Sequence, residues 1–84
     1  MDISEFQRRM RDAYFDRDKA RGMERTFLWL VEEVGELATA LNGRTDEKNI
    51  EEEFADVFAG LCSLANLMSV DLDAAGKDKY RDCL

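Results

Sequence analysis

Apolar residues recur at helical spacing along almost the whole chain, and no proline interrupts them. Ile3, Phe6, Met10, Ala13 and Tyr14 form the first run, closed by Arg21-Gly22, so the spacing predicts a helix over roughly 2–20. Phe27, Leu30, Val31, Val34, Leu37, Ala38 and Leu41 make a second stripe, over about 24–41. Ile50, Phe54, Val57, Phe58, Leu61, Leu64, Ala65 and Met68 make a third. Thr45 or Asp46 can cap that helix, which ends near Ser69. Asp71 then caps a short last helix running to about Asp82. No strand pattern competes with these stripes. Four helices with short connections predict an all-α, four-helix bundle-like fold, one domain over 1–84.

Short length limits what such a fold can bury. Chains of 84 residues often depend on oligomerisation, a metal or disulfides for stability. Cys62 and Cys83 are too few for a disulfide framework and do not form a CxxC pair. A reduced, cytoplasmic setting is the expectation. No apolar run has membrane-spanning length and no basic-then-apolar leader stands out, so no membrane association is expected.

Charge is unevenly placed. Residues 26–60 hold nine acids against Arg44 and Lys48, whereas residues 1–25 hold seven bases against six acids. An acid excess of this kind repels a bare polyanion, so no nucleic-acid binding through a basic patch is expected. Histidine is absent. That excludes Ser-His-Asp and Cys-His nucleophiles, HExxH zinc sites and carboxylate–histidine di-iron bundles. No glycine-rich phosphate loop is present either. Carboxylates carry whatever chemistry remains.

They are arranged in two half-motifs, EExxE at Glu32-Glu33-Val34-Gly35-Glu36 and ExxD at Glu53-Phe54-Ala55-Asp56. At about 100° per residue the second stripe centres near Val34, with Glu33 and Glu36 on one flank beside Trp29 and Ala40. Glu32 points nearly away from that stripe. On the third helix Glu53 and Asp56 lie on the flank of the same sense, near Gly60. Glu51 falls on the other flank, and Glu52 faces away. A short connection makes the two helices antiparallel neighbours, and flanks of the same sense then fall on one side. Glu36 and Glu53 stand at matching heights, roughly 10 Å from the turn at about 1.5 Å per residue. Glu33 and Asp56 pair one turn further along. Four carboxylates should therefore form one patch, and a hard divalent cation with oxygen ligands is the natural way to offset their repulsion. Gly35 and Gly60 interrupt helix interiors at a cost of about 1 kcal/mol each, which suggests close approach.

The same residues resemble the MazG-like all-α nucleoside triphosphate pyrophosphohydrolases. The likeness runs from Thr26-Phe27-Leu28-Trp29-Leu30-Val31 into Glu32-Glu33-Val34-Gly35-Glu36-Leu37. It continues through Glu52-Glu53-Phe54-Ala55-Asp56-Val57 to Val70-Asp71-Leu72. What the resemblance implies is metal-dependent hydrolysis between the α and β phosphates, giving a nucleoside monophosphate and pyrophosphate. By it, Glu33, Glu36, Glu53 and Asp56 would ligate Mg²⁺, or Mn²⁺ in its place. Glu32 matches the motif's first acid, with a supporting place near the ligands or on the helix surface. Relatives often carry a lysine followed four residues later by asparagine in the last helix. Lys79 matches the lysine and is the candidate phosphate contact, but Cys83 stands where the asparagine would be. Trp29 could stack on a base or pack as a core residue. Arg17, Lys19, Arg21 and Arg25 could reach a triphosphate from a neighbouring subunit or simply be solvated. The resemblance also implies a homodimer, or a dimer of dimers. Phosphoribosyl-ATP pyrophosphohydrolase of the same fold class is the nearest alternative. A helical interaction module without catalysis, or a carboxylate site that buffers metal, are the alternatives of another class.

Overall fold

The structure, a computed structural model, describes residues 1–43 and 46–84. Among the described residues there are four α-helices and no strand: α1 Ile3–Arg21, α2 Met23–Gly43, α3 Glu47–Leu67 and α4 Leu72–Lys79, followed by a 3₁₀ turn at Arg81–Cys83. Three aspartates set the helix starts by accepting backbone N–H groups that have no partner within the helix. Asp2 takes the N–H of Glu5, Asp46 that of Asn49 and Asp71 that of Ala74. Thr45, the other candidate cap for α3, lies outside the described residues. Gly22 ends α1 at φ 91°, a backbone conformation that side chains with a Cβ resist. The last helix is shorter than its spacing predicts, ending at Lys79 before the chain tightens into the 3₁₀ turn.

α2 and α3 lie side by side and antiparallel. Their register is fixed where Gly60 meets Leu30. A Cβ built on Gly60 would sit 3.1 Å from Leu30 Cδ1 and 3.4 Å from Trp29 Cζ3. The missing side chain is what lets the helices close there. Gly35 meets nothing within 4 Å, so the close approach expected at that glycine is not made inside one chain. α1 lies over the pair, with the Phe6 and Phe58 rings stacked at 4.7 Å. Gln7 ties α1 to the α3–α4 turn. Its amide donates to Asn66 Oδ1 and to the Val70 carbonyl, and its Oε1 accepts the N–H of Leu72.

One sequence expectation changes here. The stripes of α2 and α3 were expected to face a common core, yet Phe27, Val31, Val34, Leu41, Phe54, Leu61 and Met68 remain 41–55% exposed. Of the α2 stripe, Leu30 is buried and Leu37 half-buried as expected, and they share their line with buried Thr26 and Ala40 and half-buried Glu33. That line recurs at heptad spacing along one edge of the apolar stripe. Hydropathy cannot separate two adjacent stripes when the buried one carries small and acidic residues. The fully buried interior is correspondingly small-sided, led by Thr26, Asp18, Cys62 and Ser63.

Candidate metal centre

The line through Thr26, Leu30, Glu33, Leu37 and Ala40 is the seam by which α2 packs on α3, and Glu33 occupies a place where an apolar residue would ordinarily go. The facing line on α3 repeats the substitution. Glu53 and Asp56 precede Gly60 and Ser63 at the same heptad spacing. Because Leu30 faces Gly60, moving along both helices towards their connection brings Glu33 to Asp56 and then Glu36 to Glu53. Carboxylate oxygens of Glu33, Glu53 and Asp56 all lie within 4.8 Å of one another.

Electrostatics of the group are strained. Glu33 Oε2 and Glu53 Oε2 are buried without a hydrogen-bond partner. Glu33 has its pKa raised above the ordinary 4.5 by burial first, then by the charges of Glu36, Asp56 and Glu53, and by a side-chain hydrogen bond with Glu36. Glu53 is raised by burial first, then by Glu36, Asp56 and Glu52. Glu36 thus stands beside the group of three and couples to both of its glutamates, although its own side chain is exposed. Two buried carboxylate oxygens with nothing to accept, among like charges, fit a hard divalent cation. Donors of this kind suit Mg²⁺ or Mn²⁺ rather than a soft metal. Cys62, the nearest soft candidate in α3, is buried with its thiol pKa pushed up by that burial.

The family model of the MazG nucleotide pyrophosphohydrolase domain matches residues 21–81. The chain belongs to the MazG family. A search of curated proteins finds no match to it. The matched segment of this MazG domain contains both acidic half-motifs.

Other sequence candidates are placed differently. Glu32 is exposed and outside the group, as its helical direction indicates. Lys79 is exposed in the last turn of α4. That helix packs at the start of α1, around Ile3, Leu72, Asp73 and Gly76, so within one chain the structure does not bring Lys79 to the carboxylates. Trp29 is half-buried and packs beside Gly60. The Arg21 and Arg17 guanidiniums lie 4.9 Å and 5.8 Å from its ring centre. Sequence reasoning missed Asp18, which is 1% exposed and holds both arginines. Its spacing of three from Arg21 was the available signal, but such pairs are common on solvated helices.

Next to the carboxylates a cavity of about 340 Å³ opens between α1, α2 and α3. Phe6, Met10, Tyr14, Trp29, Ala55 and Ala59 give it an apolar wall, and Arg17 and Asp56 are its charged residues. A pocket of this make-up, apolar with a few polar groups at its edge, is suited to a small organic ligand.

Proposed function

We propose that the chain is a Mg²⁺-dependent nucleoside triphosphate pyrophosphohydrolase, cleaving between the α and β phosphates to give a monophosphate and pyrophosphate. The observation that carries this reading is the convergence of Glu33, Glu53 and Asp56 in a MazG-family seam, with two buried oxygens lacking partners. Glu33, Glu53 and Asp56 would hold the ion, with Glu36 beside them. Bound there, Mg²⁺, or Mn²⁺ in its place, offsets the clustered charge, polarises phosphate oxygens and acidifies water. Glu36 is exposed at the edge of the group, so it can accept a proton from water entering from solvent. The raised pKa of Glu33 and Glu53 makes protons and cation compete for the same oxygens. The apolar cavity beside Asp56 is the place for base and sugar, with Trp29 on its wall. Glu32 serves the helix surface, and Lys79 would reach phosphate from another copy rather than from its own.

A homodimer, or a dimer of dimers, belongs to the same proposal. Phe27, Val31, Val34 and Leu41 on α2 and Phe54, Leu61 and Met68 on α3 leave large apolar side chains facing outward. Surfaces like this are covered in stable proteins, and a second copy of the same face is the self-complementary partner. A cytoplasmic setting is proposed too, in keeping with Cys62 and Cys83 both being unpaired.

The test is incubation with ribo- and deoxynucleoside triphosphates and phosphoribosyl-ATP in Mg²⁺, with products resolved by chromatography. Monophosphate plus pyrophosphate, lost in Glu53→Gln, supports the reading. Diphosphate plus phosphate overturns the bond assignment. No turnover across the panel moves the chain to a metal-holding or interaction role.

A further inference from the structure

The acidic centre has a cationic counterpart on α1, in Arg17 and Asp18, which precede the segment matching the family, and Arg21, which opens it. Asp18 is the most buried charged residue described, at 1% exposure. Its Oδ1 accepts Arg17 Nε at 3.2 Å, Arg17 Nη2 at 3.0 Å and Arg21 Nη2 at 2.8 Å. Arg21 is turned inward: its Nε also donates to Thr26 Oγ1 at 3.2 Å, its side chain is 25% exposed, and it does not line the cavity. Arg17 is held differently. Its guanidinium lies 4.2 Å from the Tyr14 ring centre, its side chain is 50% exposed, and its Nη1 takes no part in the Asp18 bonds. One carboxylate against two guanidiniums leaves a surplus positive charge, and Arg17 presents it to the cavity that Asp56 borders.

Charge arithmetic gives that surplus a purpose. Four carboxylates and a polyphosphate together carry more negative charge than one or two divalent ions offset. Among the described residues Arg17 is the sole cation lining the cavity, and Lys79 is on a helix packed elsewhere. Guanidinium suits phosphate because it offers several N–H donors in one plane. Resting on the metal-dependent reading above, we propose that Arg17 binds the anionic phosphate chain of the substrate and that Asp18 is its positioning residue. Asp18 fixes the guanidinium against Tyr14 so that its free edge faces the cavity. The side chain then loses little freedom on binding.

Trp29 is the single tryptophan and lies against both guanidiniums, so its fluorescence reports on this corner directly. The experiment titrates the full chain with inorganic pyrophosphate in Mg²⁺, following Trp29 fluorescence, and with Mg²⁺ alone by calorimetry. Wild type, Arg17→Gln, Arg17→Lys, Asp18→Asn and Arg8→Gln are compared. Arg17→Gln should weaken pyrophosphate about tenfold or more and leave Mg²⁺ uptake unchanged. Arg17→Lys should recover part of the loss, and Arg8→Gln, an exposed arginine earlier on α1, should bind as wild type does. Asp18→Asn should weaken pyrophosphate in whatever fraction circular dichroism shows to be folded. A residue with a merely structural role would lower the melting temperature without changing that affinity. If Arg17→Gln binds pyrophosphate as tightly as wild type while Mg²⁺ still binds, the role of Arg17 is overturned and the metal centre stands. Wild type that takes up no Mg²⁺ overturns the metal centre and the Arg17 role with it. Asp18→Asn that folds and binds normally overturns the positioning role alone, and if it does not fold Arg17→Gln still decides.

Discussion

Two groups of polar side chains that pack between helices are treated in opposite ways. At the α1–α3–α4 junction, Gln7 and Asn66 exchange bonds in both directions. Gln7 Nε2 donates to Asn66 Oδ1 at 3.1 Å, and Asn66 Nδ2 donates to the Gln7 carbonyl at 3.1 Å. Gln7 Oε1 accepts from Leu72, completing the set. In the α2–α3 seam, Glu33 and Glu53 each keep a buried oxygen with no partner, and both stand under the repulsion of Glu36 and Asp56. A satisfied network holds elements in place. An unsatisfied one costs about 1–3 kcal/mol per group and persists where a ligand completes it. The contrast separates scaffold from site without reference to any relative.

The largest effect should come from breaking the seam. Asp56→Asn or Glu53→Gln should lower triphosphate hydrolysis ~100-fold or more, equivalent to about 2.7 kcal/mol of barrier. Neither change should lower the melting temperature of metal-free protein, because each removes repulsion. Gln7→Ala is the mirror image. It strands Asn66, the Val70 carbonyl and the Leu72 N–H, and should cost about 2–4 kcal/mol in denaturant unfolding. Hydrolysis per folded molecule should stay near wild type. Should Gln7→Ala abolish hydrolysis in fully folded protein, the division into scaffold and site fails.

Metal and protons sharpen the same division. Mg²⁺ at about 100 times its Kd should stabilise wild type by about 2.7 kcal/mol, visible in a thermal melt. The increment should vanish in Glu53→Gln and survive in Gln7→Ala. Without metal, the sign of the pH effect follows from the raised pKa of Glu33 and Glu53. The folded state holds protons there that the unfolded chain releases above its ordinary 4.5. Stability of the metal-free protein should therefore rise as pH falls from neutrality towards 4.5, over the window between unfolded and folded values. Glu33→Gln with Glu53→Gln should flatten that part of the profile. A metal-free wild type that loses stability over this window, by the same amount as the double variant, contradicts the seam electrostatics.

How legible this was in the sequence depended on what each residue has to satisfy. Helix ends were readable because Asp46, Asp71 and Gly22 act locally, on N–H groups or a φ angle within a turn. Pairing of Glu33 with Asp56 was readable because an antiparallel register links spacing to height. Burial was not. Phe27, Val31 and Val34 out-score Thr26 and Glu33 in hydropathy, yet the latter are the more buried. Small and acidic side chains in the seam hide it from hydropathy, and a single sequence does not say which stripe faces inward. Asp18 and the Gln7–Asn66 pair were illegible for a related reason. Their partners are 59 residues away for Gln7 and on a neighbouring helix for Asp18, and nothing in local spacing distinguishes them from solvated side chains.

The smallest effects lie in Gly35 and Gly60, and they test whether the exposed face is as free as one chain makes it. Gly60→Ala brings a methyl to 3.1 Å from Leu30 Cδ1 in a packed seam, which offsets the better helix propensity of alanine. Its net effect on stability should be near zero or destabilising. Gly35→Ala meets nothing within 4 Å in the chain and should stabilise by about 1 kcal/mol in an isolated copy. If a second copy covers the face that carries Gly35, Val31 and Val34, the sign depends on protein concentration. Dilute protein should gain stability from the alanine, and concentrated protein should lose some of it as the added methyl separates the two faces. Equilibrium unfolding at concentrations spanning two orders of magnitude, alongside sedimentation, reads both. A Gly35→Ala gain that is the same at every concentration leaves the glycine outside any interface between copies.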